Sequence, residues 1–290
     1  MHCTYKSQKS QCTFRWLVFL LIISSCDSGD DVISGEGVFI TQIENASIEG
    51  QLFLPEGNGP FPVLIAVEGS GNESRESTAP FAPIFNSFGY GLYIYDKRGL
   101  GGSTGSYPLE TIENPFDFLT ARAEDVQSIV KLLKKHMDLK SDRIGLFAAS
   151  QGTWVSTIVH EQMASDISMM LFVSGGAAST GEENYYESLI AEGLSITEAN
   201  QSIYQYEGTI GYDPKPVLAD MKIETLFIFG EKDTSHPTLY DEEIVMAMDK
   251  SNFTIYSFEN ADHSLLDANT RDFPEELFPI INDWLTLQNE

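Results

Sequence analysis

From residue 36 onward the apolar positions fall into short dense runs separated by polar turns. Gly37–Ile43 and Ile48–Leu54 mix apolar and polar positions and read as two strands, with Glu44-Asn45-Ala46-Ser47 as the turn between them. Pro62–Val67 (PVLIAV) is continuously apolar and stops at Gly69-Ser70-Gly71, the pattern of a central strand buried on both faces. Gly91–Tyr95, Arg143–Ala148, Met169–Val173, Thr225–Phe229 and Phe253–Phe258 are further short apolar runs of strand length. Helical spacing appears instead in Phe116–His136, where Val126, Ile129, Val130 and Leu133 share one stripe. Phe81–Phe88, Gln151–Met163, Leu239–Met248 and Glu275–Leu287 also read as helices. Strands alternating with helices predict the α/β class, a mostly parallel sheet covered on both faces. The rhythm breaks once, between Ser174 and Asp220, and that segment (about 175–220) is expected to be a helical insertion.

Composition narrows the function classes. The 290 residues are 42% hydrophobic, enough for a sizeable core, and the length suits one large domain or two small ones. Lys+Arg number 17 against 43 Asp+Glu, a net charge of −26, which would repel nucleic-acid phosphates and anionic membrane surfaces. The three cysteines are Cys3, Cys12 and Cys26, so the body has neither a disulfide framework nor a cysteine-based zinc site.

The amino terminus reads as a targeting segment. Lys6, Lys9 and Arg15 precede the apolar run Trp16–Ile23, far shorter than the roughly 20 residues that span a bilayer. Ser24, Ser25 and Cys26 follow, and Ile23-Ser24-Ser25-Cys26 resembles a bacterial lipobox. That resemblance implies a signal peptide over 1–25, lipidation of Cys26, and a polar linker over 26–35 ahead of a folded domain at 36–290. The protein would then sit in the bacterial cell envelope, periplasmic or surface-facing, held to the membrane by its lipid anchor alone. An ordinary cleaved signal peptide with an incidental cysteine is the alternative.

Candidate chemistry centres on one corner. Ile144–Phe147 is a strand, Ala148-Ala149-Ser150-Gln151-Gly152 a small-residue turn, and Thr153 opens a helix. A serine at such a corner is exposed above the sheet, with the next amide aimed at a reacting oxygen. Gly101-Gly102-Ser103-Thr104-Gly105 fits the same G-x-S-x-G spacing with both glycines, but Tyr107-Pro108 follows it where a helix should begin, so Ser103 is not expected to be a nucleophile. A serine nucleophile needs a base and an orienting acid. His263 follows the last strand and precedes the last helix, whereas His136 and His160 sit on helical patterns and His236 precedes Pro237 in a loop. Asp233 ends the preceding strand, Glu231 on the same turn is an alternative acid, and Asp262 reads as a turn residue. The order nucleophile, acid, base is therefore Ser150, Asp233, His263.

Three motifs in register carry a wider resemblance. Asp96-Lys97-Arg98-Gly99-Leu100-Gly101-Gly102-Ser103 resembles the D-x-R-G-x-G-x-S loop of alpha/beta hydrolases of the serine-aminopeptidase-like and dienelactone-hydrolase-like esterase branch. Val67-Glu68-Gly69-Ser70-Gly71 is similar to that branch's oxyanion loop, with Glu68 where many relatives have histidine, and Arg143 through Trp154 resembles its nucleophile corner. The resemblance implies an alpha/beta-hydrolase fold with a small cap insertion. It also implies an oxyanion hole from the backbone N–H groups of Ser70 and Gln151, and a serine hydrolase acting on a small acyl substrate without metal or other cofactor. A carboxylesterase is the first expectation, an aminopeptidase or amidase the second, and a catalytically silent binding lipoprotein the third. The insertion bears on that choice. Gly181–Tyr212 holds Glu182, Glu183, Glu187, Glu192, Glu198 and Glu207, five tyrosines and no lysine or arginine. Glutamates facing the cleft would attract an ammonium group and repel carboxylates and phosphates.

Overall fold

The computed structural model describes residues 33–107 and 115–289. The leader, the lipobox and Cys26 lie outside the described residues.

Eight strands form one sheet in the order β1-β2-β4-β3-β5-β6-β7-β8. They are β1 (Gly37–Ile43), β2 (Ala46–Phe53), β3 (Phe61–Val67), β4 (Gly91–Tyr95), β5 (Leu139–Ala149), β6 (Met169–Val173), β7 (Glu224–Gly230) and β8 (Phe253–Phe258). The first two make an antiparallel hairpin, β2 pairs antiparallel with β4, and every other pair is parallel. The helices are α1 (Ala82–Ser87), α2 (Pro115–Leu133), α3 (Gln151–Met163), α4 (Thr180–Ala191), α5 (Ile196–Ile203), α6 (Lys215–Asp220), α7 (Thr238–Ala247) and α8 (Leu277–Leu287).

The apolar runs are continuous because both faces of the sheet are covered. Along β3, Val63, Ile65 and Val67 enter one core with Val126, Ile129 and Val130 of α2 and Val155, Ile158 and Val159 of α3. Leu64 and Ala66 turn the other way, into a core with Phe85 of α1 and Ile281, Trp284 and Leu285 of α8. Successive side chains on a strand point to opposite faces, so a run with no polar position is what two covers require. The outermost strand β1 differs: Val38 and Ile40 are exposed on its outer face, with only one side packed. Three helices, α4 to α6, fill the stretch between β6 and β7. Their own small core joins Tyr186, Leu189, Ala199 and Ile203 to Tyr240 of α7.

The expected strands and helices all form, with ends moved by a few residues. The largest change is β5, which begins at Leu139 instead of Arg143. Its early part runs through exposed Ser141 and Asp142, where apolar content gives no signal. Because β3 to β8 run parallel, except for the β2 hairpin beside β4, the loops after β3, β4, β5, β6, β7 and β8 gather at one end of the sheet. That is where ligands bind in open α/β sheets.

Candidate active site

Ser150 sits between β5 and α3 with φ 52 and ψ −128. A side-chain-bearing residue held there stores about 1–3 kcal/mol of strain, which the surroundings must impose. They do so with hydrogen bonds: Ser150 N–H donates to Val173 O at 2.9 Å, and Ser150 O accepts from Thr153 N and Thr153 Oγ1 at 2.9 and 2.8 Å. Close backbone approach supplies the rest. A Cβ on Gly152 would lie 2.0 Å from Val67 O, and one on Gly175 would lie 2.9 Å from Ser150 O. A Cβ on Gly69 would lie 3.3 Å from Ser150 Cβ and 3.6 Å from Ser150 Oγ, so the loop after β3 runs directly alongside the serine. Gln151, the next residue, is buried at the amino end of α3, and Ser70 is exposed on the β3 loop.

Asp233 and His263 meet from the loops after β7 and β8. His263 Nδ1 lies 2.7 Å from Asp233 Oδ2, with Asp233 fully buried and the His263 side chain 31% exposed. The other carboxylate oxygen accepts from the backbone N–H groups of Ser235 and His236, each at 2.8 Å. Tyr186 of α4 donates to Asp233 O at 2.7 Å, so the inserted helices also hold this turn. Gly230 lets the two loops touch, since a Cβ there would lie 2.5 Å from Ala261 O. Asp262 accepts from Ser264 and Leu266 N–H and pairs with Arg271, which makes it a turn residue as its neighbours suggested.

Two buried cations grip the loop beside Ser150, and sequence reasoning did not single them out. Arg122 Nη2 donates to Glu68 O at 2.6 Å, while its Nη1 lies 3.2 Å from Gly69 O and 2.5 Å from Gln151 Oε1. Lys97 Nζ donates to Gly69 O at 2.9 Å and to Gly71 O. Burial first and the neighbouring Arg122 second lower the Lys97 pKa, Glu68 and Glu73 oppose them, and together they bring it to about 8. The signal for Arg122 was available: it lies three residues after Leu119 and four before Val126, on the buried stripe of α2. Glu68 itself pairs with Lys97 at 3.7 Å and accepts from Ser77 and Thr78 hydroxyls.

The glycine-rich loop after β4 is structural. Ser103 is buried, donates to Asp96 O at 2.6 Å and accepts from Glu49 N at 2.9 Å. Gly101 adopts φ +51, and a Cβ on it would strike the Asp96 carboxyl at 2.3 Å. Asp96 binds Arg75 Nη1 at 2.5 Å, and Arg98 binds Asp125 of α2 at 2.7 Å.

Glu182, Glu183 and Glu198 of the acidic insertion are tied to neighbouring groups. Ser179 with Glu182 and Ser195 with Glu198 form capping boxes that satisfy the first N–H groups of α4 and α5. Glu182 also pairs with Lys215 at 2.6 Å and accepts from Tyr240 at 2.7 Å. Glu183 lies 2.6 Å from His236 Nδ1, and Asp241 lies 2.8 Å from its Nε2. The cations that meet Glu182 and Glu183 are Lys215 and His236, both outside Gly181–Tyr212, and they also serve Asp213 and Asp241. Its tyrosines are engaged too: Tyr185 stacks on Tyr206 with centroids 4.9 Å apart, and Tyr212 shares a hydrogen bond with Thr157 at 2.9 Å.

No family model matches the chain. It is 24% identical over 274 residues to the esterase EstD of Thermotoga maritima; the match covers 85% of this chain, which spans 65% of the length of that esterase. Among solved structures, an esterase of Pyrococcus furiosus superposes with a TM-score of 0.65 at 18% identity, over 88% of this chain and 91% of that one. A proline iminopeptidase of Mycobacterium smegmatis gives 0.64 at 16% identity, over 87% and 99%. With the eight-stranded sheet, these likenesses establish the alpha/beta-hydrolase fold.

Proposed function

We propose that this chain, which has the alpha/beta-hydrolase fold, is a serine hydrolase that cleaves uncharged carboxylic esters. The observation that carries the reading is the 2.7 Å contact between His263 and buried Asp233 at the same sheet end as the positive-φ Ser150. The esterase name of the Thermotoga maritima relative supports it. In this reading Ser150 Oγ bonds the acyl carbon while His263 Nε2 takes its proton. Asp233 fixes the proton on Nδ1 and stabilises the imidazolium. The developing oxyanion is bound by the N–H groups of Ser70 and Gln151, each contributing on the order of 10²–10³ in kcat. The imidazolium returns its proton to the departing alkoxide, which leaves as the alcohol. Water then adds to the acyl carbon with His263 again as base, releasing the acid and restoring Ser150.

Substrate charge follows from the insertion. A body carrying −26 disfavours anionic substrates. Glu182 and Glu183, the two glutamates of the insertion that are not exposed, are held by Lys215 and His236 and so are not free to bind an amine. Neutral esters are therefore ranked above aminoacyl substrates. The test is a fluorophosphonate label and a panel of neutral, anionic and amine-bearing esters. Ser150→Ala should abolish labelling and turnover, and Ser103→Ala should leave both. Preference for an amine-bearing substrate would favour an aminopeptidase, and an unlabelled wild type would favour a silent binding protein.

We also propose that Cys26 carries the lipid anchor, on the strength of the Ile23-Ser24-Ser25-Cys26 pattern. Acyl chains contribute about 0.8 kcal/mol per buried CH₂, so two or three give stable attachment. Cys26→Ser should release the protein into buffer without detergent, and a wild type already free of membrane would refute the anchor.

A further inference from the structure

We propose that Arg122 and Lys97 are positioning residues that aim and polarise the two N–H groups of the oxyanion hole, an inference that rests on the serine-hydrolase reading above. Gly69 C=O and Ser70 N–H belong to the same planar trans peptide and point in opposite directions. Arg122 Nη1 at 3.2 Å and Lys97 Nζ at 2.9 Å both donate to that carbonyl. Two charge-assisted bonds on the oxygen direct the Ser70 N–H away from the cations. They also withdraw electron density along the amide, which strengthens the N–H as a donor.

The same two cations fix the flanking units. Glu68 O is held by Arg122 at 2.6 Å and Gly71 O by Lys97, so three carbonyls of the loop are committed to them. The second donor is tied to the first through Arg122, whose Nη1 reaches Gln151 Oε1 at 2.5 Å. One guanidinium therefore bridges the loop after β3 and the first residue of α3, the two elements that must keep their spacing for both N–H groups to meet one oxygen.

The arrangement is expensive, which argues against a filler role. Both cations are only 2% exposed, and burying like charges together costs stability unless each is well paired. Arg98, next to Lys97, has an acid partner in Asp125 at 2.7 Å. Among the described residues, Arg122 makes no salt bridge, and its hydrogen bonds go to uncharged oxygens. An apolar side chain would fill that space at less cost. The observed pairing thus commits the Arg122 guanidinium to backbone carbonyls and one amide oxygen beside Ser150, while Lys97 meets Glu68 at 3.7 Å.

Lys97 also gives the device a pH signature. The charged groups around it are Arg122 on α2 and Glu68 and Glu73 on the loop after β3, and together with burial they bring its pKa to about 8. Above that pH the ammonium loses its proton, the Gly69 carbonyl loses one charge-assisted donor, and turnover falls.

The experiment compares wild type, Arg122→Met and Lys97→Met on a neutral p-nitrophenyl ester, with a trifluoromethyl ketone whose hemiketal oxyanion occupies the same hole. Each variant should lose about 10- to 100-fold in kcat, less than outright removal of a donor, with KM within about twofold. Ketone affinity should weaken by the same factor. Wild-type kcat should decline through about pH 8, and Lys97→Met should lack that decline. Where a Met variant fails to fold, Arg122→Lys and Lys97→Gln should give the same split between kcat and KM. Variants that keep kcat within threefold in a wild-type background labelled at Ser150 would overturn the clamp while leaving the serine-hydrolase reading intact. Absence of Ser150-dependent labelling in wild type would overturn that reading and the clamp with it.

Discussion

Replacing His236 with glutamine removes a buried cation and leaves two carboxylates facing the gap. His236 is 1% exposed, with Nδ1 2.6 Å from Glu183 and Nε2 2.8 Å from Asp241. Carboxylates only accept hydrogen bonds, so both ring nitrogens carry protons and the ring is an imidazolium. Burial alone would lower its pKa, but Asp241 and Glu183 together hold it well above the usual 6.5. Asp241 is fully buried and also accepts from Ala177 and Ala178 N–H, at 2.9 and 2.5 Å, so it cannot turn away to solvent. Breaking such a pair by removing one partner costs about 3–5 kcal/mol. For a domain of this size that is a fall in Tm of roughly 6–20 °C, at about 2–4 °C per kcal/mol. The pH dependence has a definite sign. With the folded pKa raised, the stabilisation is fully present below about pH 6.5 and is lost as pH rises from there toward the folded pKa. The wild type should therefore lose about 1.4 kcal/mol per pH unit of its advantage over His236→Gln above that point. Thermal melts by circular dichroism at pH 6.0, 7.0 and 8.0 measure both quantities. A Tm within about 2 °C of wild type, or a gap that stays constant over those three pH values, would refute the charged-imidazolium account.

Asp233→Asn should lower kcat by about 10⁴ with little loss of fold, because the amide oxygen would stay on the two backbone N–H groups and the NH₂ would face His263, enforcing the wrong tautomer; steady-state rates on a p-nitrophenyl ester check it. Gly152→Ala should destabilise by about 1–3 kcal/mol and also slow turnover, since its Cβ would meet Val67 O at 2.0 Å and push the loop after β3 away from α3; urea titration and kcat report the two effects.

What the sequence determined by itself was the order and type of elements, because burial on both faces of a parallel sheet writes itself as uninterrupted apolar runs. PVLIAV in β3 and MMLFV in β6 could hardly be anything else at that length. The Ser150 corner was legible for a local reason: strand, small-residue turn and helix are contiguous, so one motif reports the whole geometry. The rule that adjacent parallel strands deliver their loops to one end of the sheet brought the turn with Glu231 and Asp233 to His263, and the tertiary contact selected Asp233. Tertiary structure decided everything that depends on charges far apart in the chain. Glu183 and His236 are 53 residues apart, and Arg122 and Gln151 are 29 apart. A glutamate reads the same in a sequence whether it faces a cleft, caps its own helix or neutralises a buried cation. Only packing brings Lys215 to Glu182 and His236 to Glu183, giving two glutamates of the acidic stretch cation partners from outside it. For the same reason Arg122 looked like one polar position on a helix until the fold carried it beneath the loop beside Ser150.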